Sequence, residues 1–435
     1  MNRTPGRAPS RKFGRLTLLL CLSLTWSVHS VKGQPRSPFV HAEGKQVVDG
    51  TGKPVLLRGT NLGNWLVPEG YMLMLDRGAA SPRELERLFN ELIGPTDADE
   101  FWREYRRKYI TRQDIAFLHR AGFNSIRIPL HYKFFLSDDS EGFTLLDQVV
   151  GWARDEGLWV IVDLHCAPGG QTGTNIDDSW GYPWLFESRR DQDLSVEIWT
   201  RIARHYRNEP AILGYDLLNE PIPPFSQVAR YNGAIKPLYQ RMTTAIRKVD
   251  SQHMIILEGS QWDGNFDIFT APLPENVLYE FHKYWTAPTQ ATIQQYLDFR
   301  DKHNVPLWLG ESGETDDKWI QSLVGLLKDN QIGWCFWPYK KMMNRSGVTS
   351  FPKPAYWDEI ITYAEVPGTS AAAEKRLPVR PTLEHSRRAL QDLLQQIGFE
   401  HCAFNPAYLR ALGLTAEALP MRSNYEHGDV RAHPH

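Results

Sequence analysis

Between Val55 and Trp337, short apolar runs alternate with longer stretches in which apolar residues recur at helical spacing. The runs are Val55 to Thr60, Asn124 to Leu130, Leu158 to His165, Ile212 to Glu220, His253 to Glu258, Val277 to Trp285, Pro306 to Glu311 and Ile332 to Trp337. They are too short for helices and rich in β-branched and aromatic residues, so they read as buried strands. Between them, Leu85, Leu88, Phe89 and Leu92 fall on one helical face, and Leu145 to Glu156, Leu194 to Arg207, Tyr239 to Val249, Ile293 to Lys302 and Trp319 to Lys328 are helix-like. Apolar strands separated by amphipathic helices imply a parallel sheet covered on its outside. Eight such units close most economically into a (β/α)8 TIM barrel, an α/β fold. A doubly wound open sheet is the alternative, but it gives no reason for polar residues to gather at every strand end.

Outside this core the pattern changes. Phe39 to Leu57 alternates apolar and polar residues around Asp49-Gly-Thr-Gly-Lys53, which predicts a β-hairpin that lids one end of the barrel. Pro354 to Tyr363 supplies a closing helix, so residues 34–365 read as the catalytic domain. Residues 366–435 read as a linker, a helix at Leu383 to Ile397 and a loosely docked or disordered tail from Gly398.

Residues 1–33 stand apart. Basic residues from Arg3 to Arg15 precede the apolar run Leu16 to Trp26, and small or weakly polar residues follow up to Gly33. That is the layout of a secretory signal peptide, which predicts a secreted or periplasmic product without a transmembrane segment. Removing those residues takes away six Lys and Arg and moves the formal charge from −2 to −8. An acidic exported chain argues against nucleic acid as a partner. Of the cysteines, Cys166, Cys335 and Cys402 then remain, without metal-ligand spacing, and Cys166 and Cys335 read as buried thiols.

The candidate chemistry lies at the strand ends. Tyr215-Asp-Leu-Leu-Asn-Glu-Pro221 stops an apolar strand on Asn219 and Glu220, and Pro306-Leu-Trp-Leu-Gly-Glu311 stops another on Glu311. In a parallel barrel such ends converge on one face, so two glutamates arrive there together, the equipment of glycoside hydrolysis. A carboxyl at the mouth of a buried strand has its pKa raised by desolvation, which suits a proton donor. Asn61, Trp65, Arg127, His165, Glu258, His282, Tyr284 and Trp337 reach the same face. Individually each has a plainer role: Arg127 as an ion-pair partner, His165 as a satisfied core histidine, the aromatic residues as core and Glu258 as a plug. Their coincidence at strand ends favours function.

Taken in order, Arg127 in Ile-Arg-Ile-Pro, His165 in Asp-Leu-His, Asn219-Glu220-Pro221, His282-Lys-Tyr284, Glu311 in Gly-Glu-Ser and Trp337 in Phe-Trp resemble the signature of glycoside hydrolase family 5. The resemblance covers roughly Phe39 to Tyr363. It implies a retaining double displacement that needs no metal or other cofactor, with Glu220 as acid/base and Glu311 as nucleophile. It also implies that Arg127 and Tyr284 hold Glu311 ionised while repulsion from Glu311 keeps Glu220 protonated. Asn219 would bind the sugar 2-hydroxyl, Trp337 would lie under the sugar, and His165 and His282 would orient substrate and carboxylates. Asn61 and Trp65 join the substrate-binding set, and the partner is an oligo- or polysaccharide.

Arg58 to Trp65, Leu145 to Arg154 and Asp163 to Gln171 are similar to the exo-β-1,3-glucanase branch. Asn64 and Cys166 stand where that branch has glycine, and Pro338-Tyr339-Lys340 departs from it after Trp337. The expected substrate is therefore β-1,3- or β-1,4-glucan, with a β-mannanase or an inactive carbohydrate-binding barrel as alternatives. Trp180, Trp184 and Phe186 are further candidates for stacking on sugars. Gly310-Glu-Ser-Gly313 lacks the spacing of a serine nucleophile elbow, and Pro168 to Thr174 lacks the Gly-Lys ending of a phosphate loop.

Overall fold

The computed structural model describes residues 38–415, apart from Glu275 and residues 367–372. A short hairpin of β1 (His41–Glu43) and β2 (Gln46–Val48) comes first. Eight parallel strands follow: β3 (Arg58–Asn61), β4 (Ser125–His131), β5 (Trp159–Cys166), β6 (Ile212–Asp216), β7 (Met254–Glu258), β8 (Val277–His282), β9 (Leu307–Glu311) and β10 (Gly333–Phe336). They form a closed barrel in chain order, with Gly59 of β3 beside Cys335 of β10 completing the ring. Every residue of β4, β6, β7 and β8 is buried, as parallel strands covered by helices require.

The expected helices are present with shifted ends. The long helical region before β4 is three helices, Pro82–Ile93, Pro95–Tyr109 and Arg112–Ala121. Capping boxes of Ser81 with Glu84 and of Thr111 with Asp114 start the first and third, and Gly94 at φ 87° separates the first two. Helices Glu141–Glu156, Arg189–Tyr206, Asn232–Arg247, Gln290–His303 and Asp317–Asp329 cover β4 to β10, and Trp357–Ala364 follows.

The hairpin turns at Glu43 to Gln46 rather than at Asp49 to Lys53, where the chain instead makes a second fold-back with Val48 opposite Pro54. Val40 and Val47 pack with Leu57, Ile161, Leu213, Met254, Ile256, Leu278, Trp308 and Cys335, so the hairpin does lid the N-terminal end of the barrel.

The expectation of a loose tail from Gly398 is corrected for the described part. After helix Leu383–Gln396, β13 (Ala403–Phe404) pairs antiparallel with β12 (Thr349–Phe351), which lies parallel to β11 (Lys340–Met342). Helix Pro406–Ala411 then buries Tyr408 and Leu409. Lys340, fully buried, donates to the carbonyl of Ile397 and pairs with Asp114 at 2.8 Å. Sequence periodicity missed this because the segment is held by one strand pairing and a few buried anchors rather than by a long amphipathic face. The expected signal peptide, residues 1–33, lies outside the described residues. Among those described, no helix is long and apolar enough to cross a membrane. Cys166, Cys335 and Cys402 are buried free thiols.

Candidate active site

The C-terminal ends of the barrel strands carry a polar cluster that their sequences would not tolerate elsewhere in a core. At its centre Arg127 of β4 is fully buried. Its guanidinium donates to Asp216 at 2.7 and 2.9 Å, to Glu311 Oε1 at 2.6 Å, to Glu258 Oε1 at 3.0 Å, to Asn219 Oδ1 at 2.9 Å and to Asn61 Oδ1 at 3.1 Å. Asp163 lies 3.2 Å away and Glu280 3.6 Å away. One cation thus faces five carboxyl groups. Burial alone would lower the Arg127 pKa, but Asp163, Asp216, Glu280 and Glu311 carry it upward. In return the acids cannot all ionise. Burial pushes Asp163 and Asp216 up to about 7, and raises Glu258 and Glu280 as well.

Glu311 ends β9 and is buried; Oε1 meets Arg127 and Oε2 accepts from the Tyr284 hydroxyl at 2.9 Å. Glu220 follows β6 in a different setting. Its backbone is left-handed at φ 43°, a costly conformation for a side chain of this size. The turn is held because its N–H donates to Glu258 Oε2 at 2.6 Å, and because Ile222 N–H donates to the Gln171 carbonyl while the Gln171 amide donates to the Asn219 carbonyl. Burial pushes the Glu220 carboxyl up to about 7, against the opposing pull of His165 and Arg127. Desolvation, expected for a carboxyl at a strand mouth, is thus the leading cause, rather than the repulsion from Glu311 that the family resemblance implied.

His282 connects the two glutamates. Nδ1 is 2.8 Å from Glu220 Oε1 and 3.8 Å from Glu311 Oε2, and Nε2 is 3.1 Å from Glu280 Oε1. Burial holds its pKa down to about 3, so the ring is neutral. An oxygen of Glu220, a nitrogen of His282 and an oxygen of Glu311 all lie within 4.8 Å of one another, as do ligand atoms of Glu258, Glu280 and His282. These groups would be close enough to share a cation. Arg127 already supplies the positive charge at their centre, and both His282 nitrogens face hydrogen-bond partners, so the contacts read as proton sharing. Glycine at 310 is required here, since a Cβ would come within 1.3 Å of Glu280 Oε1.

The sugar-side residues divide. His165 Nδ1 lies 2.8 Å from Asp163, and its ring is parallel to Trp337 with centroids 5.5 Å apart. Trp337, joined to Pro338 by a cis peptide, donates through Nε1 to the Tyr71 hydroxyl at 2.6 Å. A Cβ at Gly63 would meet the Trp337 ring at 2.6 Å, so that glycine seats the indole. Asn219 Nδ2 is buried without a partner. Asn61 serves the cluster instead of projecting from it, accepting from Arg127 and donating to the Gly310 carbonyl.

Trp65 is the one expected site residue placed elsewhere. It is buried, and Nε1 donates to the Arg106 carbonyl at 2.6 Å, so it packs the loop after β3 onto helix Pro95–Tyr109. Asn64 has φ 64°, and its side chain accepts from Glu69 N–H, which explains how asparagine works where glycine was expected. Phe186 is buried, whereas Trp180 and Trp184 are exposed.

Sequence reasoning missed Glu69, Tyr71, Asp163, Asp216 and Glu280. Glu69 is buried with Oε1 unpartnered, and its pKa is raised by burial and then by Glu311 and Glu220, which places it beside the pair. Asp163, Asp216 and Glu280 could have been found as acids inside otherwise apolar strands; Glu69 and Tyr71 sit at the start of a short 3-10 turn, Gly70–Leu73, that gave no such signal.

The family model for Cellulase (glycosyl hydrolase family 5) matches residues 92–342. The chain belongs to this family. It is a glycoside hydrolase, and the glutamates at the ends of β6 and β9 are its candidate catalytic pair. A β-xylosidase of Phanerodontia chrysosporium is 27% identical over 69% of this chain and 71% of its own length. Endoglucanase C of Acetivibrio thermocellus is 26% identical over 56% of this chain and 87% of its own. Glucan 1,3-beta-glucosidase I/II of Saccharomyces cerevisiae is 30% identical over 57% and 61%. The family member also shares its fold with AoRut (TM-score 0.56, 20% identity, 66% of this chain and 90% of that one) and with an endogalactoceramidase (0.52, 21%, 69% and 75%).

Proposed function

We propose that this protein is an exported β-glucan hydrolase that works by retaining double displacement, with Glu311 as nucleophile and Glu220 as acid/base. The observation that carries this reading is the short approach of the two glutamates, with an oxygen of each within 4.8 Å, together with their unlike surroundings. Retaining enzymes hold their carboxyl groups about 5 to 5.5 Å apart, whereas inverting ones leave room for a water between them. Glu311, whose two oxygens are held in place by Arg127 and Tyr284, is the one positioned as nucleophile.

In the first half-reaction a Glu311 oxygen bonds to the anomeric carbon. The bond from that carbon to the glycosidic oxygen breaks, and the Glu220 proton goes to the departing oxygen. In the second, Glu220 as carboxylate takes a proton from water, whose oxygen attacks the anomeric carbon and releases Glu311. Charge thus passes from Glu311 to Glu220 and back, and His282 beside both limits the rearrangement this demands. Asn219 Nδ2 and Glu69 Oε1, both buried without a hydrogen-bond partner, would serve as donor and acceptor for hydroxyls of a bound sugar. Glucan is favoured because endoglucanase and glucan 1,3-beta-glucosidase are among the relatives' names. Export rests on residues 1–33.

The test is azide rescue on an activated aryl β-glucoside, with an aryl β-xyloside and an aryl β-mannoside as parallel arms for sugar choice. Glu220→Ala should lose activity on glucan and regain turnover of the activated substrate with azide, giving the β-glycosyl azide. Glu311→Ala should stay inactive toward it as a retaining enzyme. Wild-type rates in either variant would remove that residue from its role.

A further inference from the structure

We propose that Lys340, Tyr109 and Asn64 form a buried positioning unit that holds Glu69 in place for the sugar, from outside the site. This rests on the reading of Glu69 as an acceptor for a sugar hydroxyl. All three side chains are fully buried, so none can reach substrate itself.

The unit is anchored at Lys340. An ammonium group is costly to bury unless each of its three protons has an acceptor. Lys340 Nζ lies 2.8 Å from Asp114 Oδ1 and donates to the carbonyls of Tyr109 at 2.7 Å and Ile397 at 3.1 Å. Tyr109 closes helix Pro95–Tyr109 and Ile397 caps helix Leu383–Gln396, so one cation meets the negative ends of two helices. Asp114, in helix Arg112–Ala121, also accepts from the Tyr339 hydroxyl at 2.8 Å and from the backbone and hydroxyl of Thr111. The residues that follow Trp337 are thereby locked to three helices.

From Lys340 the contacts return to the site. The Tyr109 hydroxyl donates to the Lys340 carbonyl and accepts from Asn64 Nδ2 at 3.2 Å. Asn64 Oδ1 accepts from the Glu69 N–H at 3.1 Å, and the Asn64 carbonyl accepts from the Tyr105 hydroxyl at 2.7 Å. Two residues beyond Glu69, the Tyr71 hydroxyl accepts from the Trp337 indole, and the chain runs from Trp337 through Pro338 and Tyr339 back to Lys340. The circuit is closed. It borders the catalytic pair at Glu69, whose carboxyl feels Glu311 and Glu220, and at Trp337, whose N–H donates to the carbonyl of Ser312 beside Glu311 at 2.7 Å.

Asn64 in place of glycine and Tyr339-Lys340 after Trp337 are features that set this chain apart from the exo-β-1,3-glucanase branch, and here they are two ends of one set of contacts. Glycine would supply the left-handed backbone at position 64 without strain. Asparagine adds what the turn alone does not need, a side chain that joins Tyr109 to the backbone of Glu69.

Lys340 is paired too deeply to remove without unsettling the fold, so the test cuts the circuit at Asn64→Gly, which keeps the left-handed turn, and at Tyr109→Phe, which keeps the ring. Each variant should lower kcat/KM for the preferred aryl β-glycoside about tenfold at 25 °C, with cooperative thermal unfolding retained. Each is then combined with Glu69→Ala, where the further loss should shrink below about twofold because the group being positioned is gone. Wild-type kcat/KM in either single variant, or the full tenfold loss repeated in the Glu69→Ala background, would overturn the unit while leaving Glu220 and Glu311 in their roles. Wild-type kcat/KM in Glu69→Ala alone would instead remove the reading of Glu69 as a sugar acceptor, and the positioning role with it.

Discussion

The two ends of the barrel are built from the same eight strands by opposite rules. The lower end is filled by Ile161, Leu213, Met254, Ile256, Leu278, Trp308 and Cys335 and lidded by the hairpin. The upper end holds Arg127 among Asp163, Asp216, Glu258, Glu280 and Glu311, all buried. Buried ion clusters are poor sources of stability, because desolvation offsets most of their attraction. The lower layer therefore supplies stability that the upper layer does not, and the upper layer keeps acids at unusual protonation states for chemistry.

Substitutions should separate the two ends. The largest effect is expected for Glu311→Ala, a loss on the order of 10⁴-fold or more in kcat/KM with folding intact, read by aryl glucoside kinetics and circular dichroism. Arg127→Met should abolish activity and also destabilise the fold by about 3 to 5 kcal/mol, since it leaves carboxylates without their cation; denaturant unfolding measures this. Ile256→Ala, at the lower end, should cost about 2 to 5 kcal/mol while leaving kcat/KM at 25 °C close to wild type. Equal damage to activity from Ile256→Ala and Arg127→Met would dissolve the distinction.

Acidity gives a subtler contrast. Asp163, Asp216 and Glu220 have pKa values near 7 in the fold, against about 4 for ordinary carboxyls. The native state therefore keeps protons that the unfolded chain releases, and stability is lost as pH rises through the folded values. His131, His165 and His282, depressed by burial, act the other way only below their ordinary value of 6.5. Stability should thus fall between pH 6.5 and about 8, and kcat/KM should decline above about pH 7 as Glu220 loses its proton. Denaturation midpoints and rates across that range check both. The smallest effect is expected for Trp65→Phe, which loses one buried hydrogen bond worth about 1 kcal/mol and should leave KM unchanged if Trp65 is a packing residue.

The barrel and most of its site were legible because chemistry sits at the ends of strongly patterned strands. Arg127 in Ile-Arg-Ile-Pro and the glutamates after β6 and β9 interrupt apolar runs, and an interruption of that kind is visible without a structure. Trp65 was misplaced because a strand-end tryptophan reads the same whether it turns into the mouth or toward a helix. Glu69 lies on an irregular loop, where only folding brings it near Glu220 and Glu311. The segment 398–415 was underestimated for a related reason: its anchors, the Lys340 contact to Ile397 and the pairing of β12 with β13, are distant in sequence.

The account turns on Glu220 and Glu311 acting as acid/base and nucleophile across a short gap. Proton NMR of the sugar first released from an aryl β-glucoside, recorded before mutarotation, tests this most directly. The β-anomer, formed by two successive inversions, is the predicted result. The α-anomer as first product would mean single displacement by water and would contradict the account.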